Sequence, residues 1–453
     1  MTPEKLQPFS LGTKFLLWAG LTLILGILGW SQLIRDEQAV IPEGFAVPAA
    51  PEAIPATQDG LAYFRSDEFR KNYRRQWVWL SHIKNWSREK EQGREMTQPL
   101  IEAAPEMEQR LEAASWHPDW PEQLPVTNPA KEPWGGNGGG KSGILSGPLK
   151  SIRMSVETAK QAGDSQRALK LYELLHRIGS RLNRQAEGMD DLMTASFFCI
   201  NHAEEGVEGM LVGSHFAPEM MLAAERMLTA PPLERSDVLK AMRWDFLRYR
   251  HAMERAGTAT PFGSSVEDSE MTNLGWMLRF RFKPQATVNR LMMLEWTAER
   301  LTMEPGQRNR RNAADFRAFL YDECGKPALG LHPNSFGRRL AAGRFAGGNA
   351  RGWEYFEPWM MVIRSLHHCR KAVLAAKRWS LAHEGRRPAA LRELVPDYLP
   401  EIPLDPYDGQ PLKWDHATGT VYAVGDDGVD DLPPLPADLF SVARKDGCAA
   451  RLP

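Results

Sequence analysis

The feature that constrains this chain most is a run of 20 uncharged residues, 15–34, which opens at Phe15 and closes at Ile34 between Lys14 and Arg35. At about 1.5 Å of helical rise per residue, such a run spans roughly the 30 Å hydrocarbon core of a bilayer. Trp18 and Trp30 stand near its two ends, where indole rings suit the interfacial zone. Lys5, Lys14 and the amino terminus precede it, whereas Arg35 is followed at once by Asp36 and Glu37, a bias that favours a cytoplasmic N-terminus. The run is long for a cleaved signal peptide. No small-x-small site follows it directly, and the Ala-rich stretch 46–56 begins too far downstream to serve as one. A buried core helix would need neighbours that the Pro-rich stretch after it does not supply. The expectation is therefore an uncleaved single-pass anchor in a cell inner membrane. The lipid bilayer is then a partner through residues 15–34, and the rest of the chain is periplasmic or extracellular.

Taken whole, the chain has the composition of a globular protein. It has 453 residues, 43% of them hydrophobic, with a mean hydropathy of -0.42, which allows about three domains of ordinary size. Its 56 Lys and Arg against 57 Asp and Glu leave a net charge of -1, so no basic field exists to collect nucleic acid. Four cysteines without a C-x-x-C pair are too few for a disulfide scaffold and suggest neither zinc nor thioredoxin-like chemistry.

Punctuation divides the chain. Residues 1–14 form a cytoplasmic N-terminus, and 35–60 read as a semi-extended linker carrying Pro42, Pro48, Pro51 and Pro55. Within 61–115, Phe69, Tyr73, Trp77, Leu80 and Ile83 recur at helical spacing among many Lys and Arg, which predicts an amphipathic helix over 61–88 with a basic outer face. Residues 116–148 hold five prolines from Pro118 to Pro133 and then the cluster Gly135 to Gly140, the texture of a flexible loop. A helical ectodomain follows over 149–384. It opens with paired helices over 149–161 and 166–184, joined at Gly163 and Asp164, and continues with helices over 190–202, 218–228, 233–255 and 285–303. The period of 34 residues that a helical repeat array would need is not sustained. The longest late helix should start with Pro358 in its first turn and end at Gly385, with Trp359, Val362, Leu366, Cys369, Val373 and Ala376 as its apolar stripe. Short Pro-bounded segments with strand-like runs at 412–414 and 420–424 close a small module over 385–432, and 433–453 remain as a tail.

Few residue groups suggest chemistry. The string GGNGGGKS over 135–142 satisfies the formal pattern of a phosphate-binding loop, but such a loop works between a strand and a helix N-terminus. Pro129, Pro133 and Trp134 before it and Gly143, Gly147 and Pro148 after it argue against both elements, so no nucleotide partner is expected. His202 with Glu204 and Glu205 is the most site-like cluster, since a histidine beside carboxylates can act as base or ligand; a polar helix end explains it equally. His367 and His368 are neighbours on a helix and point about 100° apart. Cys199 lies in an apolar run and reads as packed. Cys324, Cys369 and Cys448 could pair in an oxidising compartment, with the partners left open.

From Ala375 to Asp431 the chain resembles the C-terminal part of the major pseudopilins of type II secretion. The resemblance lies in the Gly385 to Pro388 step, a short helix over 391–398, the turn of Asp405, Pro406, Tyr407, Gly409 and Pro411, and the G-x-D-G loop of Gly425, Asp427 and Gly428. It covers about an eighth of the chain. The N-terminus lacks the family's cleavage and methylation signature, and over 300 residues separate the late helix from the apolar run, where a pseudopilin has one continuous helix. The whole chain looks more like anchored bacterial proteins of unknown function that end in this module, and a shared module does not transfer function.

The resemblance implies a structural calcium ion, held by Asp427 and by Asp430 or Asp431 as side-chain ligands. Hard oxygen donors around a turn-forming glycine also suit that ion on chemical grounds, although the spacing is not that of an EF-hand. A solvated acidic turn is the alternative. The expected fold is mostly α, with a single N-terminal transmembrane helix, a helical ectodomain and a small α+β pseudopilin-like module. The expected function is a non-enzymatic scaffold or interaction protein of the bacterial envelope, associated with a secretion or pilus-like apparatus through a partner the sequence does not identify. The alternative is an extracytoplasmic hydrolase built around His202, Glu204 and Glu205.

Overall fold

The computed structural model describes residues 18–26, 36–43, 45, 60–66, 68–69, 93–117, 120, 141–211, 218–229, 233–256, 282–326, 332–346, 353–432 and 448–451. Helices dominate, and the punctuation in the sequence sets many of their ends. After α1 (Gly93–Trp116), α2 (Lys141–Gln161) and α3 (Ser165–Arg184) form the expected hairpin, whose turn is closed by Asp164 accepting from the Arg167 amide at 2.9 Å. The α3 stripe Leu171, Leu175, Ile178 and Leu182 is buried. α4 (Met189–Met193) runs through a π-helical turn, Thr194–Asn201, into α5 (His202–Leu211), and α6 (Pro218–Thr229) follows. α1, α2, α3, α5 and α6 enclose one core around Leu111, Ile152, Leu175 and Val207, whereas Met189 and Leu192 of α4 belong to another.

A second core is built by α7 (Arg235–Ala256), α8 (Pro284–Leu301), α9 (Gln307–Gly325), α10 (Ser335–Gly343) and the start of α11 (Trp353–Ala382). The 30 residues of α11 rise about 45 Å. Its first turns put Trp353, Phe356 and Met360 into the second core, Leu374 reaches the first, and Cys369, Val373 and Ala376 face the C-terminal sheet. The stripe expected from Val362 to Ala376 is buried, while Trp359 is half-buried against Phe197. The helix starts five residues before Pro358, because burying Trp353 and Phe356 outweighs the backbone hydrogen bond that the proline ring forfeits.

The C-terminal part holds a 3-10 turn, Leu391–Leu394, and an antiparallel sheet in the order β1 (Lys413–Asp415), β2 (Thr420–Ala423), β3 (Cys448–Arg451). Val421 pairs with Trp414 on one side and Ala450 on the other. The strand runs expected at 412–414 and 420–424 are therefore present. The boundary expected at 432 is not, since β3 belongs to the stretch read as a tail and returns Cys448 to pack on Val362 and Leu366.

Several expectations need correction. The described fold is mostly α, but among the described residues no helix is long and apolar enough to cross a membrane, so the single N-terminal transmembrane helix expected over 15–34 is not shown. Of 15–34, only 18–26 are described, and they are helical. Part of the stretch read as a free linker is docked. Asp36 accepts from the Gln285 and Ala286 amides at 2.8 and 2.9 Å, the Val40 amide donates to Asn289, and Phe45 is buried on Phe246. Of the helix expected over 61–88, a single turn, Ala62–Arg65, and the buried Phe69 are described, and residues 70–92 lie outside the described residues. The loop expected over 116–148 is structured at both ends. Trp120 is buried with its indole donating to the Ala114 carbonyl, and α2 begins at Lys141 with Pro148 inside it, held by the buried Leu145, Leu149 and Ile152.

Candidate functional site

The π-helical turn inserts extra backbone before α5 and so resets which face α5 presents, a feature often found where side chains must converge. Asn201, its last residue, and Glu204 and Glu208 one and two turns later all meet α11. The Arg370 guanidinium donates to Asn201 Oδ1 at 2.8 Å and to Glu208 Oε2 at 2.9 Å, and it lies 3.4 Å from Glu204 Oε2. His367, one turn before Arg370, places Nδ1 2.7 Å from Glu204 Oε1. From α3, His176 points Nε2 at the same oxygen from 3.7 Å, an attractive distance but longer than a hydrogen bond. α5 can approach α3 this closely because residue 206 is glycine, where a Cβ would overlap the Tyr172 ring.

Glu204 is 4% exposed. Burial disfavours its charged form, but His367, His176 and Arg370 together outweigh burial and hold its carboxyl well below the usual range. The charges of Glu208 and Glu204 in turn hold Arg370 firmly protonated despite its burial. The site is an ion-pair network that ties α3, α5 and α11 together. Above it opens a cleft of about 500 Å³, counting the space open to solvent, between α5, α6, α11 and β3. Val207, Met227, Leu228 and Leu374 are among its apolar walls; Arg370 is paired there with Glu204 and Glu208, and Lys377 and Arg451 bring positive charge to it.

The residues singled out in the sequence meet different fates. Glu204 belongs to this network. Its sequence neighbour His202 turns away, with its ring edge on Tyr172, and burial, with the charges of Arg153 and Lys160, lowers its pKa to about 4, so it is neutral at pH 7. Glu205 is exposed. The network partners His176, His367 and Arg370 lie 28 or more positions from Glu204 and carry no joint sequence motif; the only local signal was the i, i+3 pairing of His367 with Arg370. His368 diverges as the helical step requires and meets the Leu404 carbonyl at 2.7 Å.

Lys141 of the phosphate-loop pattern is fully buried, 2.9 Å from Glu187 and donating to the Gln185 carbonyl. The glycines before it lie outside the described residues. All four cysteines are free thiols, and burial raises Cys199 to about 12 and holds Cys369 well above its ordinary value.

In the C-terminal module, Asp405 explains the D-P-Y turn. Its carboxylate accepts from the Tyr407 amide at 2.8 Å and from the Val424 amide at 2.7 Å, which joins the turn to the end of β2. Asp427 accepts from the Val429 amide, Asp430 from the Tyr422 hydroxyl, and Asp431 is exposed. Among the described residues no group of three His, Cys, Asp or Glu side chains is arranged to hold a metal ion. Comparisons with family models, with curated proteins and with solved structures find no match to this chain.

Proposed function

We propose that this chain is a non-catalytic interaction protein whose recognition surface is the cleft between α5, α6, α11 and β3. The observation that carries this reading is the state of Glu204. Its carboxylate is pinned by His367 at 2.7 Å and by Arg370 at 3.4 Å, and Arg370 also grips Asn201 and Glu208, so the groups beneath the cleft form a rigid brace that fixes its shape. The apolar walls and basic groups above them suit a partner with an apolar segment and a negative charge. The order of the turn, strands and loop at 405–428 supports reading the C-terminal module as pseudopilin-like, and with it a partner from a secretion or pilus-like apparatus. Photocrosslinkers placed at Met227 and Lys377 of the full chain in intact cells should capture one common protein. Capture should be lost when Leu228→Asp is added, and capture that ignores this substitution overturns the reading.

A second reading, a hydrolase, is favoured by the 2.7 Å pair of His367 and Glu204, of which Glu204 lines the cleft. It predicts turnover in a broad hydrolase screen that disappears in both His367→Ala and Glu204→Gln. The interaction reading predicts no turnover to lose.

A further inference from the structure

The acidic loop over 425–431 has the look of a cation site, and a cation is already in it. Arg310, in the first turn of α9, reaches across to the C-terminal module and donates from Nη1 to the carbonyl of Tyr407 at 3.0 Å and toward that of Gly425 at 3.5 Å. One carbonyl belongs to the D-P-Y turn and the other opens the G-x-D-G loop. These are the two pieces that a metal ion in this loop would have to bridge. Gly428 adopts φ +69°, and a Cβ there would overlap Arg310 Nη2, so the loop is shaped around the guanidinium. Nη2 itself is buried and makes no hydrogen bond, which marks how far the side chain is drawn into the cradle. The amide of Gly306 donates to the same Tyr407 carbonyl at 2.9 Å, so the start of α9 grips the turn twice.

Calcium fits this arrangement poorly. It takes 6 to 8 oxygens, yet the Tyr407 and Gly425 carbonyls face Arg310, Asp427 is engaged by its own turn and Asp430 by Tyr422. A divalent ion beside a fixed guanidinium would also meet its repulsion at short range.

We infer that the resident cation of this loop is the guanidinium of Arg310, and that this side chain, in place of a metal ion, pins the 407 and 425 loops to the start of α9 while the sheet itself packs on α11. The acidic residues 426, 427, 430 and 431 then serve to favour a basic partner from α9. The order of these two loops becomes independent of divalent ions and dependent on one residue that lies 115 positions from Gly425.

Hydrogen exchange on the full chain tests this, read on peptides over 403–430, with α3 as the internal control. In the wild type, millimolar calcium and EDTA should give the same protection. Arg310→Ala should speed exchange over 403–430 by roughly tenfold while α3 keeps its protection, the size expected for losing hydrogen bonds from a charged donor. Gly428→Ala should do the same through the clash, and it should add less in the Arg310→Ala background, where no guanidinium remains to clash with. Protection that appears only with calcium in the wild type overturns the inference. So does wild-type protection in Arg310→Ala, or loosening of α3 together with the module.

Discussion

Glu204 is ringed by Arg370, His367 and His176 and stays charged, whereas both oxygens of Glu295, also buried, have no hydrogen-bond partner. Burial, reinforced by Glu299 and Asp245 and opposed by Arg344 and Arg243, pushes Glu295 up to about 8. Its folded value lies above the ordinary 4.5, so its contribution to stability is complete below pH 4.5 and is lost as pH rises through about 8. Urea unfolding across that window should show wild-type stability falling by on the order of 5 kcal/mol from this group, a slope that Glu295→Gln removes. Glu204 has the opposite sign: its folded value is depressed, so its contribution is present above about pH 4.5 and fades as pH falls below it. Glu204→Gln at pH 7 should cost about 3 kcal/mol in the same assay, because the buried Arg370 loses one of its two counter-charges, and the deficit should shrink in acid.

At the scale of elements, α8 illustrates how a helix end is completed from far away. Pro284 occupies its first turn and Lys283 offers no side-chain cap, so the open amides of Gln285 and Ala286 are satisfied by Asp36, about 250 positions earlier. Asn289 then fixes the strap by accepting from Val40 and donating to the Gln38 carbonyl at 2.7 Å. Asp36→Ala should cost about 1 kcal/mol, and amide exchange should rise at residues 285 and 286 before it rises elsewhere in α8. The capping of α3 by Asp164 is local and readable, since Gly163 and Asp164 precede an apolar periodicity. The capping of α8 was not readable, because Asp36 and Glu37 read locally as charges flanking an apolar run and name no partner hundreds of residues away.

At the scale of the molecule, α11 is shared by the two helical cores and the C-terminal sheet, so the three should not unfold separately. β3 closes the sheet edge over β2 and adds Cys448 beside Val362 and Leu366 on α11. A chain ending at Leu432 should therefore lose protection in β2 and along the 362–376 stretch of α11 together, and its thermal midpoint should fall as one transition. Two separated transitions in the shortened chain would contradict a shared spine.

The sequence by itself determined the elements whose signals are local. These are the α2–α3 hairpin, the helices α6, α7 and α8 to within a few residues, the α11 stripe, and strands β1 and β2. Each depends on periodicity, caps and turn residues that act within one or two turns of chain. Only the tertiary structure decided that α2 runs through Pro148, that α11 starts at Trp353, that residues 448–451 complete a sheet, and that Glu204 answers to His367 and Arg370 instead of its neighbour His202. In every such case the deciding free energy is burial or charge pairing between segments distant along the chain. Those terms exceed local propensity once the segments meet, and they have no expression in a window of sequence.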